Sequence, residues 1–199
     1  MKVLLINGSP HEKGCTYTAL SLIAGELNAA GIETEILNVG TKPVGGCIGC
    51  GGCASGEGCV FGGVVNEAIE KAKTADAFVF GTPVHYASAS GNMTSFMDRL
   101  AYAGGRYLAY KPAAICCSAR RAGTTSTLDQ LVKYPEFFHM PLVSGAYWPM
   151  VHGSNPEQVL QDAEGCAVMQ ELGRNMAWLL RCIEAGKAAG IQHPQNPRR

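Results

Sequence analysis

The sequence predicts an α/β protein built on a doubly wound, five-stranded parallel sheet, and three observations predict it. Short apolar runs alternate along the chain with longer amphipathic stretches, five times over. The runs are apolar at successive positions and not at every second one, as strands covered on both faces are. The first run ends in a turn rich in glycine that opens directly into a helical pattern, the junction expected where a strand's carboxyl end meets a helix's amino end.

In chain order, the strands are read at "KVLLIN" (2–7), "TEILNV" (34–39), "DAFVFG" (76–81), "PAAICCS" (112–118) and "PLVSGA" (141–146). Helices are expected over 15–30, 64–74, 91–103 and 124–138, with one long helix from 156 to 186. Right-handed crossovers then place helices on both faces of the sheet. Met93, Phe96, Met97 and Leu100 recur at helical spacing and read as a core stripe. Cys116 and Cys117 fall in the fourth strand and Cys166 and Cys182 in the last helix, where each is expected to pack as a small hydrophobe. Tyr147 and Trp148 are expected to pack under their loop. Residues 1–188 form one expected domain, with a cysteine-rich loop (44–63) after the second strand and a Pro- and Gln-rich tail (189–199) that should fray.

Sixteen basic residues balance sixteen acidic ones, so no long-range field draws the chain to nucleic acid or to an anionic membrane. The apolar opening "MKVLLI" is too short for a membrane span or a signal-peptide core, and a cytoplasmic location is expected. In that reducing compartment nine cysteines, an odd number, point to metal or redox chemistry before disulfides.

The turn "NGSPHEKGCTYTAL" offers the free amides and dipole of a helix start together with hydroxyls at Ser9, Thr16 and Thr18, a setting that favours a phosphate group. It is not a Walker loop, because Lys13 precedes Gly14 and no Gly-Lys-Ser/Thr follows. Two further strand ends, "GTPVHYASASGN" and "SARRAGTT", supply small residues, His85, Tyr86, Arg120 and Arg121 on the same rim, which together suggest a cofactor crevice. The stretch "CIGCGGCASGEGC" holds Cys47, Cys50, Cys53 and Cys59. Its C-x2-C-x2-C spacing matches the run that wraps a cubane iron–sulfur cluster. Zinc, a disulfide and redox-active free thiols remain open alternatives. Gly49, Gly51 and Ala54 satisfy a loose dinucleotide fingerprint but lack the first βαβ turn it requires.

These motifs, "GSP…GCT", "GTPVHYASASGNMTSFMDR" and "SARRAGTT", together resemble the flavodoxin-like NADPH-dependent FMN reductase family over nearly the whole chain. With the cysteine loop, the chain looks most like the iron–sulfur flavoprotein branch. The resemblance implies a flavodoxin-like three-layer sandwich, FMN as cofactor, a [4Fe–4S] cluster on Cys47, Cys50, Cys53 and Cys59, and NAD(P)H as a transient substrate. It places the FMN phosphate on Ser9, Cys15 and Thr16, with Gly14 allowing close approach. Pro83, Val84, His85 and Tyr86 would lie beside the isoalloxazine ring, and Ser118, Arg120 and Gly123 along its other edge. His11 and Cys15 stand where the family has arginine and asparagine, which shifts the phosphate grip toward backbone amides. No catalytic side chain is expected, because hydride passes directly between nicotinamide and flavin. The implied partners are a small-molecule or protein electron acceptor and further copies of the chain, as a homodimer or homotetramer. A non-enzymatic electron carrier and a thiol or metal redox sensor are the alternative functions.

Overall fold

The computed structural model describes residues 1–194. Five strands, β1 (Lys2–Asn7), β2 (Glu33–Asn38), β3 (Ala77–His85), β5 (Ala113–Ala119) and β6 (Met150–His152), run parallel in the order β2-β1-β3-β5-β6. A two-residue strand, β4 (Ser88–Ala89), folds back antiparallel on the end of β3. The alternation of side chains along a strand explains the apolar runs. Leu4 and Ile6 of β1 enter one core with Phe78, Phe80, Met93, Phe96, Met97 and Leu131, while Val3 and Leu5 enter the other with Leu20, Ile23, Val79, Met169 and Met176. The first core lies under helices α2 (Val64–Thr74), α3 (Gly91–Gly104) and α4 (Thr124–Phe137). The second lies under α1 (Cys15–Ala29), α5 (Pro156–Gln161) and α6 (Ala163–Ala188). The expected methionine stripe is therefore core, each of its members being buried.

Strand order reverses between β1 and β3, so their carboxyl ends border a crevice. The two ends are tied where the Gly8 N–H donates to the Gly81 carbonyl at 2.9 Å, and where the Ser90 hydroxyl donates to the Gly8 carbonyl at 2.8 Å.

The fifth strand differs from the expected 141–146. Only a single bridge, Ala113 to Leu142, forms there, and the chain rejoins the sheet at Pro149, whose carbonyl accepts from the Cys117 N–H at 3.0 Å. Side chains of α6 take the groups a ladder would have used. Asn175 Nδ2 donates to the Ser144 carbonyl at 2.8 Å, and Glu171 Oε2 accepts from the Ala146 N–H at 3.1 Å. The excursion leaves Tyr147 and Trp148 more than half exposed and edge-to-face on each other, not tucked beneath the loop.

The expected long last helix is broken at Asp162, whose Oδ1 caps α6 by accepting from the Gly165 N–H at 3.0 Å while Oδ2 accepts from the His152 N–H at 2.7 Å. Cys182 proves exposed, whereas Cys166 is half-buried and Cys116 and Cys117 are fully buried, burial pushing the Cys117 thiol up to about 12. Of the expected tail, residues 195–199 lie outside the described residues, and His193 stacks on Tyr110 with ring centroids 4.3 Å apart. Among the described residues no helix is long and apolar enough to cross a membrane.

Gly40, just after β2, shows how tightly the first loop is held. A Cβ there would stand 2.4 Å from the carbonyl oxygens of both Gly8 and Ser9. Because the obstacle is backbone, Gly40→Ala is expected to lower stability by about 1–3 kcal/mol, the usual cost of overpacking. Urea denaturation monitored by circular dichroism measures it.

Candidate functional site

The rim of the sheet carries a cavity of about 290 Å³ lined by Ser9, His11, Cys15, Thr16, Pro83, Val84, His85, Ser118, Ala119, Arg120, Gly153 and Ser154. Its floor is the start of α1. Gly14 occupies the N-cap position without a side-chain cap, so the first-turn amides and the positive end of the helix dipole face the cavity undiminished. Gly14 itself lies behind the wall, where a Cβ would meet the Cβ of His11 at 2.9 Å. The buried Asn7 sets the loop's path: its Oδ1 accepts from the Ser9 N–H at 3.1 Å, and its Nδ2 donates to Asn38 Oδ1 at 2.8 Å and to the Glu12 carbonyl at 3.2 Å. The Thr16 and Ser118 hydroxyls share a hydrogen bond of 2.8 Å, joining the α1 start to the end of β5. The Cys15 thiol donates to the Gly153 carbonyl at 3.6 Å, and burial raises its pKa. Among the described residues no carboxylate lines the cavity itself, although Glu157 lies near enough to add to the rise in the Cys15 pKa, and Arg120 brings a permanent cation to the cavity. This set of donors and charge suits an anionic phosphate ester.

The opposite wall comes from a hairpin. Val84 pairs with Ala89 and His85 with Ser88, leaving Tyr86 and Ala87 as a two-residue turn with φ of 51° and 59°. Positive φ at both positions is the geometry of a type I′ turn, which asparagine and glycine adopt with less strain. Helix α4 holds the turn in place: Gln130 Oε1 accepts from the Ser88 hydroxyl at 2.8 Å and the Ala89 N–H at 2.9 Å, and the Ser126 hydroxyl donates to the Ala87 carbonyl at 2.7 Å. Gly123 packs directly on this turn, a Cβ there falling 2.7 Å from Ala87 Cα.

The cysteines line a second cavity, of about 240 Å³, where Cys47, Cys50, Cys53 and Cys59 meet Ile48, Phe61, Arg99 and Tyr102. Gly49, Gly51, Gly56, Gly58, Gly62 and Gly63 all have φ between 55° and 101°, so this loop needs glycine to fold back on itself. Its anchor is Cys59. Asn66 of α2 grips that residue's backbone from both sides, Oδ1 accepting its N–H at 2.8 Å and Nδ2 donating to its carbonyl at 3.0 Å. Arg99 of α3 donates from Nε to Cys59 Sγ at 3.2 Å. Among the described residues no three His, Cys, Asp or Glu side chains gather closely enough to hold a single metal ion. The four cysteines instead line one cavity much larger than a single ion, and all are free of disulfides. Four soft sulfur donors lining one cavity beside a cation fit, in their chemistry, a cluster of several irons bridged by sulfide.

Of the residues expected around the cofactor, Ser9, Cys15, Thr16, Pro83, Val84, His85, Ser118 and Arg120 line one cavity, and Gly14, Tyr86 and Gly123 do not. Tyr86 stands fully exposed at the hairpin tip. Sequence reasoning missed Gly153 and Ser154, because the last strand is expected six to nine residues earlier; the signal was "MVHGS", a short strand-like stretch closed by Gly and Ser. It also missed Asn66 and Arg99. A charge at Arg99, three residues from Phe96 on a buried helix face, was the available sign.

Comparison with known proteins gives this geometry its context. A relative from Methanocaldococcus jannaschii, an iron-sulfur flavoprotein, is 28% identical over 92% of this chain and 100% of its own length. Another iron-sulfur flavoprotein, from Archaeoglobus fulgidus, is 30% identical over 94% of this chain and 96% of its own. Among solved structures, a flavodoxin from an archaeon superposes with a TM-score of 0.60 at 14% identity, covering 91% of this chain and 99% of the flavodoxin. The apo form of an NADH:FMN oxidoreductase gives a TM-score of 0.64 at 17% identity, over 92% and 89% of the two chains. At these identities the superpositions establish the flavodoxin-like fold. The family model for NADPH-dependent FMN reductase matches residues 1–155, which span both the phosphate-suited crevice and the cysteine loop, and the chain belongs to that family of flavoproteins.

Proposed function

We infer that this protein is an FMN-dependent oxidoreductase of the iron–sulfur flavoprotein type, drawing electrons from NAD(P)H or a protein donor and delivering them to a small-molecule or protein acceptor. The observation that carries the reading is the carboxylate-free cavity over the uncapped start of α1, walled by the ends of β3 and β5. When bound there, FMN supplies exchange between two-electron and one-electron chemistry, and a [4Fe–4S] cluster on Cys47, Cys50, Cys53 and Cys59 supplies one-electron relay. The chain's own contribution is positioning. The α1 amides with Ser9, Thr16 and Ser118 would hold the phosphate, and the hairpin fastened by Gln130 and Ser126 would keep Pro83, Val84 and His85 in place as a wall. Asn66 and Arg99 would fix Cys59 in place. A homodimer or homotetramer belongs to the same reading.

The test is anaerobic purification followed by a visible spectrum with iron and acid-labile sulfide analysis. The expected result is flavin bands with a broad blue shoulder and about four irons per chain. Flavin without iron would reduce the reading to an FMN reductase with a thiol loop, and a colourless protein would overturn it. Steady-state NAD(P)H oxidation then separates a reductase from a pure electron carrier.

A further inference from the structure

Among the described residues Arg99 is a buried cation with no anion to match it. The residue is only 6% exposed. Its Nη2 donates to the Gly62 carbonyl at 2.9 Å, its Nη1 to the Gly45 carbonyl at 3.4 Å, and its Nε to Cys59 Sγ at 3.2 Å, while its guanidinium carbon Cζ lies over the Phe61 ring, 5.7 Å from the centroid. Every one of these partners is neutral or, at Cys59, a sulfur. Among the described residues no carboxylate forms an ion pair with it; the neighbouring Asp98 turns to the other side of α3, where it accepts from the Tyr134 hydroxyl at 2.5 Å. A guanidinium remains charged at any working pH, and burying one without a counter-charge costs several kcal/mol. A fold that keeps such a residue on a helix face otherwise carrying Phe96, Leu100 and Ala103 implies an anion beside it. The four-cysteine cavity, which Arg99 helps to line, is where that anion belongs.

We propose that Arg99 is the charge-compensating residue of the cysteine centre, and that it sets the reduction potential of the cluster held there. This rests on the cluster reading given above. A cluster on four thiolates gains one negative charge on reduction, and a fixed cation at hydrogen-bond distance from a ligating sulfur favours the reduced form. The residue therefore holds the potential up, through both charge and the N–H to sulfur hydrogen bond, two of the terms that tune such centres. Since the guanidinium also bonds carbonyls at both ends of the loop, Gly45 and Gly62, it couples the loop's closure to the same charge.

The test is spectroelectrochemical titration of anaerobically purified wild type, Arg99→Lys and Arg99→Gln, each with its iron content measured. Expected is a fall in the cluster midpoint of Arg99→Gln equivalent to at least a tenfold change in the oxidised-to-reduced ratio, about 59 mV for a one-electron couple, with Arg99→Lys in between and a smaller movement of the flavin couple. If Arg99→Gln fails to retain iron, the charge-conserving Arg99→Lys is expected to retain it. An iron-replete Arg99→Gln with an unmoved cluster midpoint overturns the proposal alone, as does loss of iron from both variants, which would mark a purely geometric role. A wild-type protein that carries flavin but no iron overturns the cluster reading and this proposal with it.

Discussion

Replacing Cys59 with alanine is expected to release the iron while leaving FMN in place. Iron and sulfide should fall from about four per chain to near zero, with the blue shoulder lost and the flavin bands kept. Among the four cysteines this is the one with prepared surroundings, its backbone gripped by Asn66 and its sulfur by Arg99. Cys47 and Cys50 are exposed and Cys53 and Cys59 are half-buried, and of the latter pair Cys59 is the one tethered through both backbone and sulfur, so it is the fixed point on which the others close. The phosphate-suited cavity, proposed to hold FMN, shares no lining residue with the cysteine cavity, which is why flavin content serves as the internal control for folding. Cys182→Ala, exposed on α6 and far along the chain from the loop, is expected to change neither quantity. Full iron content in Cys59→Ala would remove Cys59 from the ligand set.

Cys15→Asp is expected to weaken FMN binding about a thousandfold. The thiol lines the phosphate-suited cavity at the first position of α1, and aspartate has nearly the same bulk. A carboxylate about 4 Å from a phosphate charge is opposed by about 4 kcal/mol at an effective dielectric near 20, and each 1.4 kcal/mol is roughly tenfold in affinity. The free protein should tolerate the change, since an acidic residue in a helix's first turn interacts favourably with the dipole. The same field that would attract the phosphate accommodates the carboxylate. Quenching of FMN fluorescence on titration into apoprotein measures the affinity, and thermal unfolding of the apoprotein reports the fold. Unchanged FMN affinity would place the phosphate elsewhere.

Much of this was legible from residue order because the governing interactions are local. Continuous apolar runs at Leu4–Ile6 and Phe78–Phe80 announce strands covered on both faces, and a strand followed by Gly8, Ser9, Gly14 and a helical pattern announces an anion-suited turn, whatever lies further along the chain. The C-x2-C-x2-C spacing is likewise a local pattern, read within a few residues. What failed was decided by partners distant in sequence. The last strand fell at Met150–His152 and not at 141–146, because Glu171 and Asn175 of α6 claim the backbone of the earlier segment, and no local pattern encodes that competition. Asp162 broke the last helix because it serves two donors at once, one of them on β6.

The sequence by itself determined the layer architecture, the helix-start turn and the close spacing of the four loop cysteines, since periodicity and spacing are properties of neighbouring residues. Only the tertiary structure decided that Gly153 and Ser154 complete the crevice, that Tyr86 stands outside it, and that a buried arginine from α3 meets the sulfur of a cysteine forty positions earlier. The physical reason is that burial makes a charge or a hydrogen bond consequential, and burial is a property of elements packed together, not of the order in which they are joined.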